Sequence, residues 1–190
     1  MATLSTTSIV QYLNNIFTGP PRRALQALFS KANVDILAVE ARALALEPAV
    51  INCTASTLTV TAALHAQRTV TLNRAAGIDV TLPAATGTGN VYRFIVGTTF
   101  TSSGTIKVVT DDTMVGMAIF ETDNATDGVT AYKASGTDDT ITFYTGASNT
   151  TGGVAGACVT LTDIAADLWH VHYTSSAGGT EVTPFSATVS

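Results

Sequence analysis

The sequence predicts a mainly β protein, a sandwich or barrel of short strands preceded by an N-terminal helical arm. From Val50 onward, short segments with strand-like alternation recur roughly every 8 to 12 residues between turn residues. Threonine, which favours strands without adding charge, supplies 34 of the 190 residues. Before Glu47-Pro48 the composition changes to good helix formers. We therefore divide the chain into a helical arm, residues 1–47, and a β-rich domain, residues 48–190.

The arm is predicted to contain two helices. Ser8–Phe17 has apolar residues at helical spacing, and a longer helix follows from about Pro21 to Leu46. An apolar seam at spacings of three and four runs along the second helix, at Phe29, Ala32, Ile36, Val39, Ala43 and Leu46. This seam fits a helix lying on its own β domain, and it equally fits a helix packing on other subunits. The second interpretation makes Phe29, Ile36, Val39 and Leu46 candidate interface residues.

The stretch Gly77–Phe100 is the clearest strand–turn–strand unit. Ile78–Leu82 alternates apolar and polar residues, and Pro83 ends the strand because proline has no N–H to donate. The next run, Val91–Val96, is apolar on most of both faces, which is typical of a strand buried on both sides or at a subunit contact. Tyr92 and Phe94 are therefore also candidate interface residues.

The same criteria predict twelve strands in the β-rich domain. They are Val50–Cys53, Ser56–Thr61, Arg68–Leu72, Ile78–Leu82, Val91–Val96, Thr105–Val109, Thr113–Phe120, Val129–Lys133, Thr140–Tyr144, Ala157–Ile164, Leu168–Thr174 and Glu181–Val189.

Composition and charge bound the function. Charged residues make up 12% of the chain, about half the usual globular share of roughly 25%. A surface with so little charge repels its own copies weakly and suits permanent assembly. The net charge of −5 argues against nucleic-acid binding, and no apolar run approaches the roughly 18 residues that span a bilayer. We expect neither nucleic acid nor membrane as a partner.

No pattern in the chain predicts catalysis, a cofactor or a metal site. His170 and His172 share one strand face, but zinc needs three or four ligands and no third partner is marked. Asp123 and Asp127 resemble a calcium loop in outline only, because the full ligand pattern is absent. The cysteines, Cys53 and Cys158, are interpreted as free thiols, although a disulfide stays possible.

Adjacent carboxylates do not suggest general acid–base chemistry either. Asp138 and Asp139 on a strand would point to opposite faces, the wrong arrangement for a catalytic pair. We expect the protein not to be an enzyme.

Two segments, Thr81–Val108 and Leu161–Ser190, carry a family resemblance. Their shared elements are LPAATG-x-G before an aromatic strand and W-x-V followed by GTE-x-TPFS, here Leu82–Gly87, Gly89, Trp169, Val171, Gly179–Glu181 and Thr183–Ser186. With these elements the chain resembles the head decoration, or cement, proteins of tailed bacteriophages. The similarity covers roughly Val70 to Ser190 and leaves out the helical arm.

The resemblance implies a β-sandwich or jelly-roll-like module that is commonly trimeric. Such a protein would sit on the outer surface of the phage head where capsomers meet, with the major capsid protein and its own copies as partners. The helical arm would dock onto the capsid or clasp neighbouring copies.

Two other classes of function are open. A tail or fibre component with a glycan-binding β domain would need exposed aromatic residues in loops. Here the aromatic residues lie mostly within predicted strands and look structural, as at Tyr92, Phe94, Phe143, Tyr144 and Trp169. A hydrolase using His170 or His172 is the third possibility, and no motif recommends it.

Overall fold

The computed structural model describes residues 29–37, 50–109, 111–122, 128–144 and 149–188. The chain divides into two units, Met1–Glu47 and Pro48–Ser190, and each is described by itself.

In the first unit, residues 29–37 form helix α1, within the longer of the two predicted helices. Lys31 and Asp35, one turn apart, form an exposed ion pair of 3.5 Å, which adds a few tenths of a kcal/mol at most (about 0.3–0.5). The other predicted helical residues, including the candidate interface residues Val39 and Leu46, lie outside the described residues.

The second unit is mostly β, as the sequence predicts. Each of the twelve predicted strands corresponds to a strand of the structure, and the third and fifth have the predicted bounds. The strands are β1 Ile51–Cys53, β2 Thr57–Thr59, β3 Arg68–Leu72, β4 Asp79–Thr81, β5 Val91–Val96, β6 Gly104–Lys107, β7 Thr113–Thr122, β8 Val129–Asp138, β9 Thr140–Phe143, β10 Cys158–Ala165, β11 Leu168–Ala177 and β12 Phe185–Ser186. One helical turn that the pattern did not predict, α2, covers Ala62–His65.

These strands form two sheets. One has seven strands in the order β1-β3-β5-β10-β11-β7-β8, and the other has five in the order β12-β9-β6-β4-β2. The first six strands alternate between the sheets, so the chain makes three turns of a coil. Within each sheet, successive turns of this coil pair in parallel.

The coil stacks inward-facing apolar side chains in register. In the seven-stranded sheet, Cys53, Leu72 and Val96 lie opposite one another. In the five-stranded sheet the equivalent ladder is Leu58, Val80, Ile106 and Ile141. Each turn of the coil therefore covers the apolar side chains of the turn before it, which none could bury alone.

The later strands that pair with the coil do so in the antiparallel direction. β9 pairs antiparallel with β6, and β10 pairs antiparallel with β5. Of the ten pairings between described strands, five are parallel and five antiparallel. A jelly roll is built from antiparallel Greek keys, so this mixed pairing differs from a jelly roll.

Aromatic side chains from both sheets meet in one core. The Phe143 ring of β9 contacts the Tyr173 ring of β11 edge-on at 5.5 Å between centroids, and Phe120 contacts Tyr173 at 5.1 Å. Edge-to-face pairs of this kind add about 0.5–1.5 kcal/mol each beyond their burial.

Tyr92 and Phe94 belong to this interior. Their side chains are 2% and 1% exposed, and the Tyr92 ring contacts the Trp169 ring at 5.6 Å. A strand with apolar residues on both faces can lie in the domain interior or at a subunit contact, and this strand lies in the interior. The prediction that Tyr92 and Phe94 lie at an interface is therefore wrong, because the domain's own core already covers them.

A glycine in β7 allows the close approach of the long parallel pair β7–β11. Gly116 has φ = 135°, and a Cβ there would stand 1.9 Å from the carbonyl oxygen of Val171. By contrast, Gly89 has φ = 71°, and a Cβ at that position would project into open space.

We predict that Gly116→Ala lowers the free energy of unfolding by about 3 kcal/mol or more, since it adds a backbone clash to the cost of positive φ. Gly89→Ala, which adds only the φ cost, should lose about 1 kcal/mol. Urea denaturation of the full chain measures both. Equal losses in the two variants would show that the β7–β11 approach is not constrained by Gly116.

Candidate functional site

A buried carboxylate organises the turn that the sequence singles out. Asp163, 3% exposed on β10, accepts hydrogen bonds from three successive backbone N–H groups. These are Thr86 N at 2.9 Å and Gly87 N at 2.6 Å on Oδ1, and Thr88 N at 3.1 Å on Oδ2. The Thr88 hydroxyl donates to Oδ2 as well, at 2.6 Å. The Leu82–Gly89 turn is thus wrapped around one carboxylate.

A second buried carboxylate holds the start of the same turn. Asp112 Oδ2 accepts from Ala85 N at 2.8 Å and from the Trp169 indole Nε1–H at 3.1 Å. Both donors are buried, so the carboxylate satisfies groups that water cannot reach. It also explains why Trp169 tolerates complete burial, since its only polar atom has a partner.

Together these contacts join the two segments that carry the family resemblance. The Leu82–Gly89 turn belongs to one segment, and Asp163 and Trp169 belong to the other. The sequence pattern gave no reason to select Asp112 or Asp163. Their partners lie 27 and about 75 residues away, so neither is marked by local spacing.

The hydrogen bonds also set the protonation of Asp163. Burial by itself raises the pKa of its carboxyl, but the donors on Thr88, Gly87 and Thr86 outweigh burial and hold the pKa below its ordinary value. The ionised carboxylate accepts all these bonds at once. In a protonated carboxyl, the added O–H would point at one of the N–H or O–H donors, and that bond would be lost. The arrangement is a structural clamp, since its oxygens are taken up by the protein's own N–H and O–H groups.

Both sheets carry threonines on their outward faces, but the two faces differ in apolar content. On the five-stranded sheet, the outward residues are threonines with one acid and one base: Thr57, Thr59, Asp79, Thr81, Thr105, Lys107 and Thr142. On the seven-stranded sheet, apolar residues recur across β5, β10, β7 and β8. They are Val91, Ile95, Cys158, Ile164, Val115, Met117, Ile119, Val129 and Ala131. We call this second surface the apolar outward face.

Several side chains of the apolar outward face are well exposed. Met117 is 46%, Ile164 45% and Val129 70% exposed. The cross-strand row that contains Met117 runs through Arg93, Thr160, His172, Met117 and Lys133. An open cavity beside the C-terminal part of β7 is lined by Glu121, the 155–157 loop and residues 174–176. Exposed apolar side chains on one outward face mark interaction sites on soluble proteins. Here the polar outward residues of β11, which include His170 and His172, separate those of β10 from those of β7 and β8.

His170 and His172 lie on the apolar outward face, side by side as predicted. Both are exposed, while Val171 between them is buried. Within the described residues, no group of three or more His, Cys, Asp or Glu side chains could hold a metal ion. Of the calcium-like loop, Asp123 and Asp127 lie outside the described residues.

The remaining polar candidates have structural partners. Asp138 accepts from Ser135 N at 2.7 Å, and Asp139 accepts from the Thr140 hydroxyl at 2.7 Å and Thr188 N at 2.8 Å. The adjacent carboxylates therefore have separate hydrogen-bond partners, and Asp139 lies between β8 and β9 rather than within a strand.

The cysteines are free, with Cys53 buried and Cys158 half-buried on the apolar outward face. The interpretation of both as free thiols is confirmed.

The candidate interface residues of the arm differ in exposure. Ile36 is 56% exposed, whereas Phe29 is half-buried. Two neighbours outside the predicted seam, Val34 and Leu37, are 63% and 55% exposed.

Comparison with protein-family models gave no match, and comparison with curated proteins and with solved structures gave no significant match. Among the described helices, none is long and apolar enough to cross a membrane.

We predict that Asp163→Asn lowers the free energy of unfolding by about 2–4 kcal/mol at neutral pH, because an amide N–H₂ then faces the Thr88 donors. The folded-state pKa of Asp163 lies below the unfolded value of about 3.9, so its contribution is complete above about pH 5 and is lost as the pH falls through the folded-state pKa. The difference in the free energy of unfolding between wild type and Asp163→Asn should therefore become smaller as the pH is lowered.

Chemical denaturation between pH 7 and pH 2 measures this difference. Asp79→Asn is the control, since Asp79 is exposed and accepts one bond, from the Thr105 hydroxyl at 2.8 Å. A difference between wild type and Asp163→Asn that stayed constant over this range would contradict the role given to the ionised carboxylate.

Proposed function

We propose that this protein is a structural virion protein that decorates and stabilises a tailed-phage capsid, binding at capsomer joints as a homotrimer. The observation that carries the proposal is a difference between the two outward faces: Met117, Ile164 and Val129 are exposed apolar side chains on the seven-stranded sheet, whereas the outward residues of the five-stranded sheet are polar. This difference supports a permanent contact with a partner on the seven-stranded sheet and exposure to water on the five-stranded sheet.

The partner that fits best is the outer surface of the capsid shell. The apolar outward face is wide, spans five strands and carries Arg93 and Lys133 at its margins, so it suits a broad contact rather than a small ligand. A contact of standard size buries roughly 1,600 Å² in total. Repeated over many copies, such contacts resist outward pressure without any chemistry.

The proposal takes the two sheets to be the layers of a β-sandwich. In support, the Phe143–Tyr173 contact joins them, and the buried apolar residues of both form one cluster. The clamp on the Leu82–Gly89 turn adds support, because a cement protein works only if its own domain does not yield under load. The clamp shares Ala85, Thr86, Gly87 and Trp169 with the elements on which the family resemblance is based.

The helical arm, in this proposal, holds copies together or docks them onto the shell. Ile36 supports that role, since it is an apolar seam residue with 56% of its surface exposed. A fibre component with a glycan-binding β domain is the alternative. Nothing specific favours it, because none of the aromatic side chains among the described residues is exposed.

We predict that Met117→Asp weakens binding to undecorated capsids at least about tenfold, because it replaces an exposed apolar side chain of the contact with a carboxylate that must lose its water on binding. Thr81→Asp, the same charge on an exposed strand position of the other sheet, should bind like wild type. Co-sedimentation with capsids assembled from the accompanying major capsid protein measures both. Equal binding by the two variants would exclude the apolar outward face as the contact.

We predict that Ile36→Glu shifts the protein in solution from trimer towards monomer, because it places a charge in an apolar seam. Val34→Glu is the matched control, since Val34 lies off the seam and is 63% exposed. Light scattering gives the mass of each. In wild type the melting temperature should also rise with protein concentration; a monomeric mass at all concentrations would contradict self-association.

A further inference from the structure

Three buried oxygen atoms in the described part of the chain accept no hydrogen bond and donate none. They are Asn149 Oδ1, Thr151 Oγ1 and Glu181 Oε1. Thr151 is 1% exposed, so water from the surface does not reach its hydroxyl. Buried polar atoms without partners are rare in folded proteins, and each one calls for an explanation such as a bound ion or water.

The three atoms lie on two segments that are hydrogen bonded to each other. Val182 N donates to the Thr150 carbonyl at 3.1 Å, which places Glu181 next to the turn that contains Thr151. Asn149 O accepts from Gly152 N at 2.9 Å, closing that turn, and from Gly178 N at 3.4 Å. The three residues that carry the unpartnered oxygens therefore lie where the 149–152 turn meets the 178–182 segment.

The backbone on one side of this junction is fixed by Tyr173. Its hydroxyl donates to the Thr151 carbonyl at 2.9 Å and accepts from Gly153 N at 3.0 Å. The Thr151 side chain is thus held in place while its hydroxyl lacks a partner.

The chemistry of the three atoms selects a hard cation. They are a carboxylate, an amide and a hydroxyl oxygen, the donor types that calcium takes in proteins. An anion would need N–H donors instead, and no described cationic side chain forms an ion pair with Glu181. The absence of a group of three His, Cys, Asp or Glu side chains among the described residues does not conflict with this site, because only one of its three ligands, Glu181, belongs to those residue types.

We propose that Asn149, Thr151 and Glu181 bind a calcium ion that ties the 149–152 turn to the 178–182 segment. Backbone carbonyls and water would complete the six to eight oxygen ligands that calcium prefers. With a single carboxylate, the dissociation constant should lie at about 10⁻⁴–10⁻³ M, the range of weak extracellular modules. The ion would stabilise the chain just before β12, and this inference stands independently of the proposed function.

The test uses the full chain, stripped with chelator and titrated with Ca²⁺ or Mg²⁺. Calorimetry should give one calcium site, and 10 mM Ca²⁺ should raise the melting temperature by about 3–11 °C. Magnesium should bind more weakly, because it demands a tighter octahedral geometry.

Three variants locate the site. Glu181→Gln should weaken calcium binding at least about tenfold, whereas Glu121→Gln, the same change on the outward side of β7, should not alter it. Asn149→Asp adds a carboxylate and should tighten binding about tenfold. Asn149 has φ = 52°, a conformation that aspartate also adopts, so this variant should fold.

The proposal is overturned if wild type binds no calcium at 10 mM, which would mean that ordered water alone occupies the junction. It is also overturned if calcium binds but neither Glu181→Gln nor Asn149→Asp changes the affinity.

Discussion

The carboxylate of Asp163 is the contact on which the domain depends most. It receives the backbone N–H groups of Thr86, Gly87 and Thr88, and it does so from the buried side of the β10 strand. Without it, three backbone donors would lose their acceptor, and the Leu82–Gly89 turn would keep only its backbone bonds to the β10–β11 hairpin, such as Gly89 N to Asp163 O at 2.9 Å. Asp112 completes the arrangement by linking Ala85 to the Trp169 indole.

This clamp joins the part of the chain that coils to the part that does not. The coil of β1–β6 is built from parallel pairs, whereas β7–β12 includes two long hairpin-like pairings, β7–β8 and β10–β11. The turn between β4 and β5 belongs to the coil, and Asp163 belongs to the hairpins. The Asp163 hydrogen bonds therefore tie the β4–β5 connection of the coil to the β10–β11 hairpin.

Much of the secondary structure follows from local sequence, and much of the topology does not. The alternation in Arg68–Leu72 and the dense run Val91–Val96 predict those strands with the observed bounds, because side-chain period is a local signal. Their parallel pairing could not be predicted, since it depends on which segments meet after two changes of sheet. The jelly-roll expectation differs from the observed pairing for this reason.

The roles of the site residues also depend on contacts between segments that are distant in the sequence. Tyr92 and Phe94 lie on a strand with apolar residues on both faces. Such a strand has the same sequence pattern whether its own domain or a partner covers it, so the assignment of Tyr92 and Phe94 to an interface was wrong. Asp163 is a single acid in a threonine-rich strand, and its role depends on donors about 75 residues away. The apolar outward face likewise becomes visible only when β5, β10, β11, β7 and β8 are placed side by side.

The most direct test of the account is to measure which side of the domain a capsid covers. His170 and His172 lie exposed on the apolar outward face, and the third histidine, His65, is buried. Carbethoxylation with mass spectrometry reports the accessibility of each imidazole. We predict that His170 and His172 react in the free protein and are protected on capsids, with His65 unreactive in both. Equal labelling of His170 and His172 in the free and capsid-bound protein would contradict the account.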